Sequence, residues 1–187
     1  GGTRSYTGSP PSFDGSLDGN GHSVSDISIN RSNRANTALF SWIGSSGSVS
    51  NISIQNVTVT GSIRPGGLVG VNDGRVTTAT VTGEITGSDS VSGLVGNNNG
   101  NIDNSSANIT VSATDNTLAG LVGSNDGTIT SSFATGVVNG SVAPTGGTSY
   151  VGGLVGLNQG EIRDSTTKIS VNGSYGVGGL VGWNIRG

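Results

Sequence analysis

Apolar residues fall at fixed places in an otherwise polar chain. Gly67-Leu68-Val69-Gly70-Val71-Asn72 returns with its glycines, leucine, valine and asparagine kept at residues 93–98, 120–125, 153–158 and 179–184. The leucines of these copies, Leu68, Leu94, Leu121, Leu154 and Leu180, stand 26, 27, 33 and 26 residues apart. A period of that size marks a repeat architecture. Eight residues after each of the first four leucines comes a β-branched residue (Val76, Ile102, Ile129, Ile162), shortly after a glycine (Gly74, Gly100, Gly127, Gly160). A polar run with interspersed apolar residues follows, as in residues 77–82 and 168–171. Residues 38–61 read as a sixth, divergent copy, with Phe40 in the valine place and Ser41 in the place of the second glycine. Upstream, residues 24–29 partly alternate and predict a strand with one buried face. Residues 13–22 gather turn formers around Phe13 and Leu17, and residues 1–12 are irregular Gly/Pro-rich sequence.

These positions predict an all-β fold, a parallel β-solenoid with about one rung per 26-residue repeat. Helix is excluded by the abundance of Gly, Ser, Thr and Asn and by the lack of a 3.6-residue apolar period. Stacking successive rungs at roughly 4.8 Å makes one buried ladder of Leu68, Leu94, Leu121, Leu154 and Leu180. The neighbouring valines, Val69, Val95, Val122, Val155 and Val181, then face the other way unless the backbone bends. The flanking glycines suit such a bend through their dihedral freedom. Asn72, Asn98, Asn125, Asn158 and Asn184 form a second ladder, suited to left-handed turns and to amide-to-amide bonding between rungs. We expect one domain over residues 1–187, with an N-terminal segment and first rung at 1–37 and the repeats at 38–187. Because the chain opens in Gly-Ser-Pro-rich sequence and ends just after a repeat begins, it reads as part of a longer chain, with adjoining domains as its first partners.

Composition narrows the function classes. Charged residues are 10% and the formal net charge is −3, so no basic footprint for nucleic acid exists; only Arg31 and Arg34 come close together. Cysteine is absent, which removes disulfides and thiolate metal sites. No apolar run is long enough to insert in a membrane as a helix.

The repeated Gly-Leu-Val-Gly-x-Asn-x-Gly, followed by an apolar residue and a polar run, resembles the GLUG repeat. Phe13-x-Gly15-x-Leu17-Asp18-Gly19-Asn20-Gly21-His22, with Val24 and Ile29, resembles the segment that often precedes such repeats. The resemblance implies a right-handed β-helix-like fold in a large secreted or surface-anchored bacterial protein, adhesins and IgA-cleaving metallopeptidases among them. It implies a non-catalytic stalk or binding surface, with a protein or carbohydrate of a host or other surface as partner. The alternatives are the repeat region of a secreted peptidase and an ice- or polysaccharide-binding face.

Catalytic, cofactor-binding and metal residues are not expected. His22 is the only histidine, and no His-Glu-x-x-His zinc motif occurs. Asp73, Asp126, Glu161, Asp103 and Asp164 stand near rung corners as solvated loop acids, with Asn99 between the equivalent Asp73 and Asp126. Calcium is the one cofactor with oxygen donors on offer, from Asp14, Asp18 and Asn20 or from Asp73 and Asp126, although neither an EF-hand nor a β-roll nonapeptide is present. Threonine runs at 58–60 and 78–82 invite comparison with ice-binding arrays, but the later runs at 108–112, 134–138 and 168–172 are less regular. Glycine-rich segments lack the helix and lysine of a phosphate loop. Tyr6, Tyr150, Tyr175, Trp42 and Trp183 are too dispersed in sequence to define a patch. Trp183 takes a variable, outward position, and the insertion at 142–147 before Tyr150 is the expected place for a specific contact.

Overall fold

A computed structural model describes residues 11–113, 116–140 and 150–185. Tyr6, the insertion at 142–147 and residues 186–187 lie outside the described residues. Within them the chain forms strands and no helix, in parallel sheets of eleven, four and six strands. This is the expected β-solenoid, with about six turns.

The rungs build three faces. Strands Val69–Asn72, Val95–Asn98, Val122–Asn125, Val155–Asn158 and Val181–Asn184 stack on one face, with Phe40–Ile43 beneath them. The divergent copy is therefore a true rung, and Phe40 pairs with Val69 as its sequence position implies. The widest face carries the long strands Ser48–Thr60 and Arg75–Gly87 and their shorter successors. The narrowest stacks Val91–Ser92, Thr117–Ala119, Tyr150–Gly152 and Val177–Gly178.

The interior is a set of columns. Val49, Val76, Ile102, Ile129 and Ile162 form one. Val59, Ile85, Val111, Val138 and Val171 form another. Leu68, Leu94, Leu121 and Leu154 are fully buried, and so are Val69, Val95, Val122 and Val155 beside them. Adjacent residues can both point inward because the chain turns at each leucine. The Leu94 carbonyl accepts from both Leu68 N–H (3.1 Å) and Val69 N–H (3.0 Å), and the Leu121, Leu154 and Leu180 carbonyls do the same for the rungs before them. Leu180 departs from the predicted ladder: it is 42% exposed, because no described rung covers it.

The glycines of the repeat correct the expectation that they supply unusual dihedrals. Positive-φ glycines among the described residues are Gly21, Gly83, Gly136 and Gly176, none of them in the Gly-Leu-Val-Gly motif. The motif glycines are required by space. A Cβ on Gly67, Gly93, Gly120 or Gly153 would overlap the carbonyl of the equivalent glycine one rung on. A Cβ on Gly70, Gly96, Gly123 or Gly182 would run into the backbone of the preceding rung, at the carbonyl of the equivalent position (Ser41, Gly70, Gly96, Gly156) and at a second segment (Asn36, Arg64, Ser90, Tyr150 and Val151). A third stack, Gly74, Gly100, Gly127 and Gly160, has each Cβ position filled by the preceding rung's glycine carbonyl.

Gly83 and Gly136 do use glycine's freedom, at φ of 143° and 113°. They sit in the column Val57, Gly83, Ile109, Gly136, Ile169, where a Cβ on Gly83 or Gly136 would overlap the backbone of Val57 or Ile109 one rung before. This column repeats over two rungs, not one.

The N-terminal segment also differs from expectation. Residues 24–29 form two strands, Ser23–Ser25 and Ser28–Asn30, interrupted by Asp26 at φ 58°. With Ser16–Asp18 they pair in parallel with Ser48–Thr60. Asp26 sits beside Asn56 (φ 53°), where the pairing of Ser48–Thr60 with Arg75–Gly87 shifts by one residue between Ile54 and Val57.

Leu121→Asp buries an unpaired charge in the central rung and is expected to abolish the cooperative unfolding transition, whereas Ser124→Asp, on the half-exposed column, should change stability by less than about 1 kcal/mol. Thermal denaturation followed by circular dichroism distinguishes the two. Equal tolerance at both positions would contradict the columns. Gly96→Ala should cost about 2–3 kcal/mol, since the overlapping atoms are backbone and cannot rotate away.

Candidate functional site

The most ordered polar feature is internal. Asn72 Nδ2 donates to Asn98 Oδ1 (2.7 Å), Asn98 to Asn125 (2.8 Å), Asn125 to Asn158 (2.8 Å) and Asn158 to Asn184 (2.7 Å). The second amide hydrogen is also placed: Asn98, Asn125 and Asn158 each donate to the carbonyl of the glycine two residues on. The amide ladder was legible in the sequence, but its turn rationale does not hold, since these asparagines end extended strands and none has positive φ. The ladder starts at Asn72, whose Oδ1 is buried without a donor because Ile43 occupies that place one rung earlier.

A second polar ladder was missed. The chain turns a corner through left-handed residues at Asn51, Thr78, Asn104, Ser131 and Asp164, with φ between 47° and 53°. The next N–H is thereby turned out of the sheet's bonding, and a serine one rung on receives it. Ala79 N–H donates to Ser105 Oγ (3.1 Å), Ser105 N–H to Ser132 Oγ (3.2 Å) and Ser132 N–H to Ser165 Oγ (3.1 Å). Each hydroxyl donates in turn to the carbonyl two residues back. The signal was present: these serines are 27 and 33 residues apart, the same intervals that separate Leu94, Leu121 and Leu154.

The acids named from sequence do not converge. Among the described residues no three His, Asp or Glu side chains gather as a metal site. Asp73 is tied to Trp42 Nε1 (2.7 Å) and Asn99 Nδ2 (2.6 Å), binding three successive rungs on the outer surface. Glu161 pairs with Arg163 on the surface. His22 is exposed in a turn, its N–H bonded to the Gly19 carbonyl. Asp14 accepts from Ser12 (2.8 Å). Asp18 accepts from Asn51 Nδ2 (3.0 Å) and Asn20 N–H (2.8 Å), which together hold its carboxyl below the ordinary value of 3.8. Asp26 is lowered in the same sense by Asn56 and then Ser25. Asp18, Asn20 and Asn51 therefore form a closed set of hydrogen bonds.

The threonine runs are not one array. Thr80–Thr82 stack on Ser106–Asn108, while Thr58–Thr60 stack on Glu84–Thr86 and then on Thr110–Ser112. The sequence comparison of 78–82 with 108–112 merged two separate columns. Glu84, Val137 and Phe133 interrupt the outer columns.

The aromatic residues correct the sequence reading. Tyr150 and Trp183, distant in the chain, pack with ring centroids 4.4 Å apart and planes tilted by 50°. With Tyr175, Gly176 and Gly182 they line an open groove of about 420 Å³. Trp183 belongs to the column Trp42, Val71, Asn97, Ser124, Leu157. Apart from Val71, which is buried, that column is outward or edge-facing, as expected of a variable position. The groove therefore lies on the side of the rod, where the narrow face meets the asparagine face.

Residues 147–172 match the family model described as the GLUG motif. A stretch of 73 residues, 39% of this chain, is 44% identical to halomucin of Haloquadratum walsbyi (strain DSM 16790 / HBSQ001) and spans 1% of that protein's length. No solved structure matches the chain.

Asn125→Ala strands the Asn98 amide hydrogen and the Asn158 oxygen in the interior, and should cost about 2–4 kcal/mol. Asn101→Ala, at an exposed position, should be near neutral; urea denaturation of both variants tests this. For the N-terminal rung the sign follows from the lowered carboxyls: their stabilisation is full above the ordinary value of 3.8 and is lost as the pH falls through the depressed folded values. The protection of amides over residues 16–30, taken relative to intrinsic exchange at each pH, should thus fall on acidification below that value, and less so in Asp18→Asn.

Proposed function

We propose that this GLUG-repeat chain is a non-catalytic structural segment of a secreted or surface-associated protein, a stiff rod that spaces and displays binding surfaces. The observation that carries this reading is the continuity of its internal columns. Among the described residues, leucine, valine, asparagine and serine ladders run from rung to rung without a break for a cleft, and the recurring chemistry of the repeat is spent on bonds between rungs. Such a rod gains length by adding rungs, each contacting only its neighbours. The likeness to halomucin, in which the matched stretch is a very small part, supports a role as one element of a long chain. Attachment to a host or other surface is the adhesive form of the same reading.

Two measurements test it. Antibodies against this segment should label intact, unpermeabilised cells of the producing organism; labelling only after permeabilisation would count against the surface role. A rod is also tolerant of shortening in register. Deleting residues 94–153 joins Gly93 to Leu154 and keeps the Gly83–Ile169 alternation. The shortened chain should retain its all-β circular dichroism with a Tm lower by roughly 5–10 °C. Deleting 94–120 alone sets Gly83 against Gly136 and should cost more per rung removed. Complete unfolding of the register-preserving deletion would contradict the scaffold reading.

A further inference from the structure

We propose that the lateral groove of Tyr150, Tyr175 and Trp183 is a binding site for neutral saccharides. The described residues contain four tyrosines and tryptophans, and three of them line this one groove. Tyr175 is 60% and Trp183 45% exposed, so aromatic surface is left in water in a chain only 4% aromatic. Tyrosine and tryptophan suit such a place because each joins a broad apolar face to one polar tip.

The ligand class follows from the lining. A sugar ring presents a face of C–H groups that stacks on an aromatic ring, and a rim of hydroxyls that bonds to phenol and backbone groups. Among the described residues the remaining lining, Gly176 and Gly182, has no side chain to keep a ring away, and none of the described lining residues carries a formal charge. An uncharged ligand loses little on entering, whereas a charged peptide or a phosphate finds no counter-charge among the described lining residues. The tilt of Tyr150 against Trp183 makes the two rings an angled platform, not a flat one. It fits a bent oligosaccharide or a single pyranose better than the surface of a crystalline polymer.

Trp183 stands directly over Leu157 in an outward column, and Tyr150 lies on the adjoining face with Gly176 above it. The inference stands apart from the scaffold reading: the groove can bind sugar whether or not the rod is at a cell surface.

Tryptophan emission of the full 187-residue chain, titrated with chitohexaose, cellohexaose, mannohexaose and laminarihexaose, is the test, with a neutral-glycan array as the wider probe. Trp42→Phe leaves Trp183 as the sole reporter, and we expect saturable change in its emission with at least one saccharide. Tyr175→Ala, at an exposed position with no packing role, should weaken binding about tenfold, and Trp183→Ala should remove it from the array while circular dichroism and Tm stay close to the parent. Failure of every neutral saccharide, or binding that survives both Tyr175→Ala and Trp183→Ala, overturns the proposal. Capture of a peptide or an anionic glycan at the groove with no neutral sugar bound would overturn it as well.

Discussion

At Leu94, Leu121, Leu154 and Leu180, one carbonyl serves two amides of the rung before it, and the rest of the rod depends on that shared bond. It turns the chain sharply enough for Leu and Val to enter the core side by side. That doubles the apolar surface a four-residue motif can bury. The turn brings the strand hard against the backbone of the rung before it, and only glycine leaves room there. The next residue but one is asparagine because the turned strand points it inward, where a buried amide needs partners above and below. Leu, Val, Gly and Asn are thus four consequences of one bend, and a change in any of them disturbs the others.

Polar ladders explain how so hydrophilic a chain holds a core. A buried amide or hydroxyl alone would oppose folding, but in a stack each group finds its partner in the next rung. The asparagine amide uses both hydrogens and its oxygen; the serine hydroxyl both donates and accepts. Each ladder has one weak point, at its beginning. Asn72 has Ile43 beneath it and keeps an unmet oxygen, and the serine ladder meets Ala79. The divergent rung is therefore a junction between the regular stack and the N-terminal segment, whose acids bond to Asn51 and Asn56 in its place.

Periodicity made the fold readable, and the limits of the reading have physical causes. Columns of identical residues follow directly from a repeated sequence, so the leucine and asparagine ladders were visible without coordinates. The motif glycines were assigned the wrong reason, because a sequence shows that a side chain is absent but not which atom occupies its place. The serine ladder escaped notice because the left-handed residue that creates the need for it varies among Asn, Thr, Ser and Asp. The aromatic groove was invisible for a different cause. Tyr150 and Trp183 lie on different faces of successive rungs and meet only at an edge, a relation that depends on how sharply the chain turns between them. Repetition reveals scaffold; what breaks repetition must be located in space before its use can be judged.

The central claim is that successive rungs are joined through their buried asparagines, and side-chain NMR addresses it most directly. With selective labelling of asparagine, the side-chain amide protons of Asn98, Asn125 and Asn158 should exchange slowly with solvent and show cross-peaks from each rung to the next. Rapid exchange of these amides, or their proximity to residues outside the ladder, would contradict the stacked arrangement of the rungs.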